Sequence, residues 1–228
     1  MINKKKILAL VPARGGSKGI KLKNLRKINN KSLIEISSDF IDKCKFFDGK
    51  YLSSDNKKII RLGKKLKFNI IKRKKSLSGD RVSDFEVIKE ALKIIEKNSR
   101  YDYLVYLQPT SPIRRYKHLY ETLKKVINLK YDGSWSVSLV NKKFHPLKIL
   151  NIKKGKLKIF NIKGKDIIAR QMLSSVYIRN GVFYIFDIKK LLRKKTIYLD
   201  KLYPSITNYN IVNIDTLDDL KMAKKYFR

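Results

Sequence analysis

The sequence is poor in the residues that cross-link or staple small domains. Its 228 residues include one cysteine, Cys44, together with two histidines, one tryptophan and five prolines. A lone cysteine excludes an internal disulfide and suits a reducing cytoplasm. No zinc-finger spacing of cysteine and histidine occurs. Hydrophobic residues make up 43% of the chain, which is enough for a sizeable core and excludes disorder.

Long hydrophobic runs are also missing. No stretch of about 18 apolar residues occurs, which excludes a transmembrane helix. The apolar run near the N-terminus is short and ends at Pro12-Ala13-Arg14. It lacks the small-residue cleavage site of a signal peptide. We therefore expect a protein that works in the cytoplasm.

Acidic residues are scarce, with 19 Asp and Glu against 55 Lys and Arg, and the net charge is +36. Such an excess fits nucleic-acid binding by phosphate neutralisation. It also fits a lysine-biased genome, because lysine, isoleucine and asparagine, all with A/T-rich codons, are abundant here. The basic residues are spread over the whole chain, without a basic tail or an RNA-binding aromatic signature, which favours the second interpretation. A positive field would still help a site that collects anionic substrates.

The chain alternates between strand and helix patterns. The continuous apolar run Lys6–Val11 is typical of a buried parallel strand, and Ser83 with Glu86 forms a capping box that predicts a helix start. Alternation of this kind predicts an α/β fold of three layers with a mostly parallel sheet. The predicted strands are 6–11, 51–55, 68–71, 103–107, 135–140, 182–186 and 211–214. The predicted helices are 33–44, 56–66, 118–129 and those that begin at Ser83 and Thr216, the last with Leu217, Leu220, Ala223 and Phe227 inward.

One segment, at about 141–177, interrupts this alternation. It holds Gly155 and Gly164 between short alternating runs, which predicts a hairpin-like insertion. Residues 1–228 are otherwise interpreted as one domain. In parallel α/β folds the site lies at the carboxyl ends of the strands. The candidate chemistry follows the first strand, follows the strand that ends at Leu107, and lies at Asp215.

The loop Arg14-Gly15-Gly16-Ser17-Lys18-Gly19 has the composition of an anion-binding loop. Its glycines allow backbone amides to approach phosphate oxygens, and Arg14 and Lys18 supply positive charge. The spacing is neither that of a Walker loop nor that of a Gly-x-Gly-x-x-Gly dinucleotide turn. An ordinary glycine turn is the alternative.

Two longer motifs resemble a known family. Residues 11–20, read as VPARGGSKGI and followed by Lys23-Asn24, resemble the nucleotide-binding signature of the acylneuraminate cytidylyltransferases. Residues 107–114, read as LQPTSPIR, are similar to that family's second motif nearly letter for letter. Weaker matches follow in the family's order at residues 145–148, 170–171, 180–181 and 213–216.

The resemblance implies a Rossmann-like nucleotidyltransferase fold in which the insertion is a small dimerisation arm. The implied reaction transfers CMP from CTP to a nine-carbon α-keto acid sugar, with Mg2+ assistance and release of pyrophosphate. The sugar would be sialic acid or a bacterial relative such as legionaminic or pseudaminic acid, and the protein would be a homodimer. An eight-carbon ulosonate cytidylyltransferase, which has a different first loop, and a basic nucleic-acid-binding protein remain the alternatives.

The resemblance also implies site residues. The residues expected to act in catalysis are Arg14, Lys18, Lys23 and Asp215. Those expected to bind the nucleotide are Arg14, Gly16, Ser17, Lys18, Asn24, Arg73, Asp80 and Asp84. Those expected to meet the sugar are Gln108, Thr110, Ser111, Arg114, Lys148, Arg170, Gln171 and Asn180. Those expected to hold the metal are Asp215 and Asn213.

Three positions depart from the family's pattern. The family usually has proline where Lys21 stands and a Pro-x-Glu stretch where residues 74–76 follow Arg73. It usually has an aspartate where Asn213 stands, and asparagine offers Mg2+ an oxygen without a charge. Asp84 has a second interpretation, because an aspartate in the first turn of a helix stabilises the helix dipole.

Overall fold

A seven-stranded sheet lies at the centre of the protein. The computed structural model describes residues 1–17 and 19–227, and this part of the chain contains eleven strands. They are β1 (Ile7–Pro12), β2 (Lys27–Ile28), β3 (Lys31–Ser32), β4 (Gly49–Ser54), β5 (Asn69–Lys72), β6 (Tyr103–Tyr106), β7 (Gly133–Leu139), β8 (Leu150–Lys153), β9 (Lys156–Ile159), β10 (Tyr177–Asp187) and β11 (Leu202–Ile206).

The main sheet has the strand order β11-β7-β10-β6-β1-β4-β5. All of its neighbouring pairs are parallel except the two that β10 makes with β6 and β7. The prediction of a mostly parallel sheet is therefore confirmed. Because only β10 runs in the opposite direction, its amino-terminal half extends past the carboxyl end of β6.

Helices cover both faces of this sheet, as predicted. The α-helices are α1 (Leu33–Lys43), α2 (Lys57–Lys65), α3 (Asp84–Ile95), α4 (Tyr116–Asn128), α5 (Ile188–Lys194) and α6 (Leu217–Tyr226). Side chains of β1 alternate between the two faces. Ala9 and Val11 pack in the cluster that includes residues of α1, α2 and α4, whereas Leu8 and Leu10 pack with α3 and α5.

The predicted caps are present. Ser83 and Glu86 form the capping box of α3, and Thr216 forms one with Asp219 at the start of α6. Each cap satisfies amides that the first helical turn leaves unpaired. These two helix starts bring Asp84 and Asp215 to the same edge of the sheet.

Residues 141–176 lie outside the main sheet, and Tyr177 already pairs with Leu139 as the first residue of β10. β8 and β9 pair as an antiparallel hairpin around a turn in which Lys154 and Gly155 have positive φ. Short 3-10 turns surround the hairpin. We call residues 141–176, which precede β10, the arm.

Two predictions about the last third of the chain are wrong. Residues 211–214 do not form a strand. Their backbone bond to the rest of the described chain runs from the Ile214 N–H to the Thr110 carbonyl (2.8 Å). The edge position belongs to β11, and neither β11 nor α5 is among the elements that the sequence predicts. Leu217 was expected to point inward but is 58% exposed, because α6 packs chiefly through Ala223 and Leu220 against the loop side of the sheet.

Within the described residues, no helix combines the length and the apolar character needed to cross a membrane.

Candidate active site

A cleft of about 540 Å³ opens at the carboxyl edge of the sheet. Its walls come from the loop after β1, the segment between β5 and α3, the turn after β6, and the segment before α6. The cleft lies where a parallel α/β sheet is expected to bind its ligands. The predicted residues that line it are Arg14, Ser17, Lys23, Asn24, Arg73, Asp80, Asp84, Gln108, Thr110, Asn213 and Asp215.

The loop after β1 is fixed by polar contacts on both sides. One nitrogen of the Arg14 guanidinium lies 2.7 Å from Asp80 Oδ1, and another donates to the Ser78 carbonyl (3.3 Å). The Gly15 N–H donates to Asp55 Oδ1 (2.8 Å), and Asn24 Nδ2 donates to the Arg14 carbonyl (3.0 Å). The arginine is therefore held in place beside the cleft instead of extending into solvent.

Two glycines of this loop are required by close approach. A Cβ on Gly15 would lie 2.7 Å from the Asn56 side chain, and one on Gly19 would collide with the Asp215 carbonyl oxygen. Gly16 is exposed and has open space around it. Lys18, predicted to neutralise phosphate, lies outside the described residues.

Lys23 and Asp215 meet across the cleft. Lys23 Nζ lies 2.7 Å from Asp215 Oδ1, and the two side chains are 15% and 67% exposed. Asn213 is also exposed and lines the same wall. The predicted metal ligands are thus brought together with one of the predicted catalytic lysines.

Arg73 lies buried at the β5 side of the cleft. Its Nε donates to Ser53 Oγ (3.0 Å) and its Nη2 donates to the Ser53 carbonyl (3.0 Å). Burial lowers the pKa of its guanidinium. Two hydrogen bonds to one residue of β4 set the direction of the side chain.

Asp84 begins α3 and is partly buried. Its Oδ1 accepts a hydrogen bond from the Tyr106 hydroxyl (3.0 Å). Burial raises the pKa of the Asp84 carboxyl, while the tyrosine hydrogen bond and nearby arginines oppose that shift. Burial likewise raises the pKa of Tyr106 well above its ordinary value.

The turn after β6 divides into two parts. Gln108 and Thr110 line the cleft, whereas Ser111 and Arg114 point into the protein. The Arg114 guanidinium donates to the carbonyl of Val182 (2.9 Å) and to the carbonyl of Gln108, and it approaches Ser37 Oγ (3.4 Å). Burial lowers its pKa to about 10.

Asn180 belongs to the same internal network. Its carbonyl accepts from Ser111 Oγ (2.9 Å), and its side-chain amide contacts Ser136, Ser138 and Thr207. Only 8% of the residue is exposed. Ser111, Arg114 and Asn180, which were predicted to meet a sugar, are therefore occupied by contacts within the protein.

The arm residues predicted to meet the sugar lie elsewhere. Lys148, Arg170 and Gln171 are exposed and do not line the cleft in the described part of the chain. Lys142 Nζ donates to the Arg170 carbonyl (3.3 Å), within the arm itself.

Three residues that position the site were missed. Asp55 fixes the Gly15 amide, Ser53 fixes Arg73, and Tyr106 bonds Asp84 and lines the cleft. All three stand near the carboxyl ends of parallel strands, and that placement was the available signal. The residue pattern predicts only a strand over 51–55, with no role in the site.

Comparison with known proteins bears on this cleft. The family model described as Cytidylyltransferase matches residues 8–224. The match runs from β1 to α6 and so includes every wall of the cleft.

Curated relatives and solved structures are similar to the chain. The N-acylneuraminate cytidylyltransferase of Streptococcus agalactiae serotype V is 27% identical over 217 residues, which cover 94% of this chain and 51% of the relative. The pseudaminic acid cytidylyltransferase of Campylobacter jejuni serotype O:2 is 29% identical over 229 residues, covering 98% and 97%. The chain thus spans about half the length of the Streptococcus relative and nearly all of the Campylobacter one.

One solved structure is that of CMP:2-keto-3-deoxy-manno-octonic acid synthetase complexed with CTP. It superposes with a TM-score of 0.70 over 97% of this chain and 98% of that one, at 12% identity. A likeness at this identity concerns the fold alone.

Proposed function

The chain belongs to the cytidylyltransferase family, and from that premise we propose that it transfers CMP from CTP to a nine-carbon α-keto acid sugar, releasing pyrophosphate. The observation that carries the proposal is the convergence of Arg14, Lys23 and Arg73 on one cleft beside Asp215. The names of the Streptococcus and Campylobacter relatives support sialic acid, or a bacterial relative such as pseudaminic or legionaminic acid, as the acceptor.

For this reaction the protein must align the two substrates and stabilise negative charge. The anomeric hydroxyl oxygen attacks the α-phosphorus of CTP, and the bond from that phosphorus to the bridging oxygen of pyrophosphate breaks. Such phosphoryl chemistry depends mostly on alignment and on stabilisation of the developing charge. Arg14 and Lys23, each already fixed by a carboxylate, are suited to the triphosphate and the departing pyrophosphate.

The remaining nucleotide contacts follow from the same geometry. Ser17 and Asn24 line the cleft beside Arg14 and supply hydrogen bonds to phosphate oxygens. Arg73 and Asp84 form the buried end of the cleft, with Asp80 beside Arg14. We assign this end to the cytidine.

We also propose that Mg2+ is the cofactor, held by Asp215 with Asn213. Among the described residues, no group of three or more Asp, Glu, His or Cys side chains could hold a metal. The site nevertheless fits this ion, because Mg2+ usually takes only one or two carboxylates together with substrate phosphates and waters. Bound there, it would neutralise phosphate charge.

A pyrophosphate-release assay tests the proposal. Wild-type protein should release pyrophosphate from CTP, and not from ATP or UTP, when sialic, legionaminic or pseudaminic acid is supplied. Turnover with an eight-carbon ulosonic acid alone would replace the proposed acceptor class. A gel shift with duplex DNA that weakens with salt, combined with no pyrophosphate release, would overturn the proposal in favour of nucleic-acid binding.

We further propose a homodimer in the cytoplasm, with the arm in the interface. The lone buried Cys44 supports a reducing compartment. Many large apolar side chains of the arm are exposed, including Ile152 (73%), Leu157 (70%) and Ile168 (93%). Patches of this kind mark association surfaces.

Light scattering at micromolar protein tests the dimer. Ile152 and Leu157 face each other across the β8–β9 hairpin, so the double change Ile152→Asp and Leu157→Asp should yield a monomer. Lys158→Asp, on the same hairpin, is the control and should remain a dimer. A monomeric wild-type protein in moderate salt would contradict the proposal.

A further inference from the structure

A row of aromatic side chains runs from the cleft across three strands. Tyr106 of β6 stands opposite Tyr184 of β10, which stands opposite Trp135 of β7. Residues that oppose each other in a sheet project from the same face. Tyr198, from the segment after α5, packs edge-on against Trp135 with ring centroids 5.1 Å apart. We call Trp135, Tyr184 and Tyr198 the aromatic shelf.

The aromatic shelf adjoins the cleft. Tyr106 lines the cleft and is the next member of the same row. The backbone of Gly181 interacts with the Tyr184 hydroxyl. A Cβ on Gly181 would lie 2.5 Å from Gln108 Oε1, so the cleft-lining glutamine packs directly on β10.

A bulge in β10 brings Arg179 over the shelf. The pairing passes from Arg179 opposite Val137 to Tyr184 opposite Trp135, so four residues of β10 (180–183) lie between these pairs against one of β7 (Ser136). The Arg179 guanidinium carbon lies 4.8 Å from the Trp135 ring centroid and 5.5 Å from that of Tyr198. Two aromatic rings thus hold a cation on the face of the sheet that carries Tyr106, which lines the cleft.

The N–H donors of the Arg179 guanidinium are not used by other described side chains. No carboxylate of the described residues lies within 4 Å of it, and it makes no side-chain hydrogen bond there. Asp84 interacts with it electrostatically, but its Oδ1 accepts a hydrogen bond from the Tyr106 hydroxyl. A guanidinium carries five N–H donors in a fork that fits a carboxylate.

Tryptophan at position 135 is better explained by its ring face than by its indole N–H. The Trp135 indole N–H is buried and has no hydrogen-bond partner among the described residues. An unpaired buried donor costs stability, which a phenylalanine would avoid. Of the aromatic residues, tryptophan offers the strongest cation–π face. The ring therefore serves to hold Arg179.

The strand order separates Arg179 from the cations assigned to the nucleotide. The cations assigned to the nucleotide, Arg14, Lys23 and Arg73, follow β1 and β5 on one side of β6. Arg179 and the aromatic shelf lie on the other side, on β10 and β7. We propose that Arg179, held by Trp135 and Tyr198, binds the carboxylate of the sugar acid. This inference rests on the proposed function and assigns a role to residues outside both sequence motifs.

Kinetics with the sugar acid and with its methyl ester test the proposal. Arg179→Met should raise KM for the acid about thirtyfold, as for a lost charge-assisted hydrogen bond, and should leave KM for CTP unchanged. The ester, which lacks the negative charge, should be a poor substrate of wild-type protein and should lose nothing further in the variant. Trp135→Phe should raise KM for the acid about threefold, since its cation–π contact is weaker.

Arg193→Met, on the exposed side of α5, is the control for loss of one positive charge and should match wild type. An equal rise in KM for CTP would assign Arg179 to the nucleotide and overturn the inference. An unchanged ratio of acid to ester turnover in Arg179→Met would also overturn it, while leaving the proposed function intact. A wild-type protein that turns over no nonulosonic acid would instead overturn the proposed function.

Discussion

The two motif segments beside the cleft place their cationic side chains in opposite directions. The loop 14–24 places Arg14 and Lys23 beside the cleft, where carboxylates hold them. The turn 108–114 places Gln108 and Thr110 at the cleft but turns Ser111 and Arg114 inward, where carbonyls hold them. A motif can therefore be specific because it contacts substrate or because it joins two strands.

The two segments differ in the groups that accept hydrogen bonds from their cationic side chains. Asp80 and Asp215 are at least partly exposed, so their arginine and lysine partners remain next to solvent and ligand. Arg114 instead bonds backbone carbonyls of residues 108 and 182 and thereby ties the turn to β10. At its lowered pKa of about 10 it is still charged at neutral pH. The comparison predicts lost activity for changes in the loop and lost stability for changes in the turn.

The largest effect is expected at Asp215. Asp215→Asn should lower turnover on the order of a thousandfold, because a metal contact that stabilises transferred phosphate is worth several kcal/mol. The melting temperature should be unchanged, since Thr216 and Asp219 cap α6 while the Asp215 carboxylate bonds Lys23. A rate titration against Mg2+ with melting curves measures both.

Asn213→Asp is the companion variant and should lower the Mg2+ concentration that gives half-maximal rate. A lowered melting temperature of Asp215→Asn with the wild-type dependence of rate on Mg2+ would show that Asp215 has a structural role. The predicted contrast between an active-site loop and a structural turn would then be wrong.

Arg14 should give the next largest effect. Arg14→Ala is expected to fold normally and to lower CTP turnover about a hundredfold, as for a lost transition-state charge contact. Arg61→Ala, on the exposed face of α2, is the charge-matched control and should retain full activity. Normal CTP turnover by a folded Arg14→Ala protein would show that Arg14 does not act on the phosphates.

Arg114 should show the reverse pattern. Arg114→Met removes the side-chain donor of the Val182 carbonyl and one of the two donors of the Gln108 carbonyl, which keeps only the Ser111 N–H. Loss of these two charge-assisted hydrogen bonds should cost about 3 kcal/mol of unfolding free energy. For a domain of this size, that corresponds to a fall in melting temperature of about 6–12 °C. Arg115→Met, at the exposed neighbouring position, is the control. A stable Arg114→Met protein with a raised KM for the sugar would show that Arg114 meets substrate after all.

The smallest effect concerns Asp84 and pH. Burial raises the pKa of its carboxyl above the ordinary 3.8, so the folded protein keeps this proton to higher pH than the unfolded chain. Asp84 therefore costs stability increasingly as pH rises from the unfolded to the folded pKa, and the full cost persists above. Asp84→Asn should gain in melting temperature relative to wild type as pH rises from the ordinary pKa of 3.8 through the raised pKa of the folded Asp84 carboxyl.

Asp218→Asn, in the exposed first turn of α6, is the control and should follow wild type across this range. A constant difference between Asp84→Asn and wild type would show that the buried carboxyl does not change charge there.

Local patterns predicted most of the elements. The apolar run before Pro12 gave β1, the Ser83 capping box gave the start of α3, and the glycine spacing gave the arm's hairpin. The prediction of a strand at 211–214 is wrong because a short apolar run resembles a strand in sequence. In the structure, the backbone hydrogen bond of this segment is the one from Ile214 to Thr110. Short apolar runs do not reveal whether a neighbouring strand is available to pair with them.

By itself, the sequence determined the alternation of strands and helices, the loop that carries Arg14, and the family. Only the tertiary structure decided which polar groups face the cleft. Arg114 and Asn180 turn inward, and Arg179 turns toward Trp135, because β10 runs antiparallel to its neighbours and bulges between Arg179 and Tyr184. A register shift moves side chains from one face of a sheet to the other, and that shift is set by the paired strands together and not by the local residue pattern.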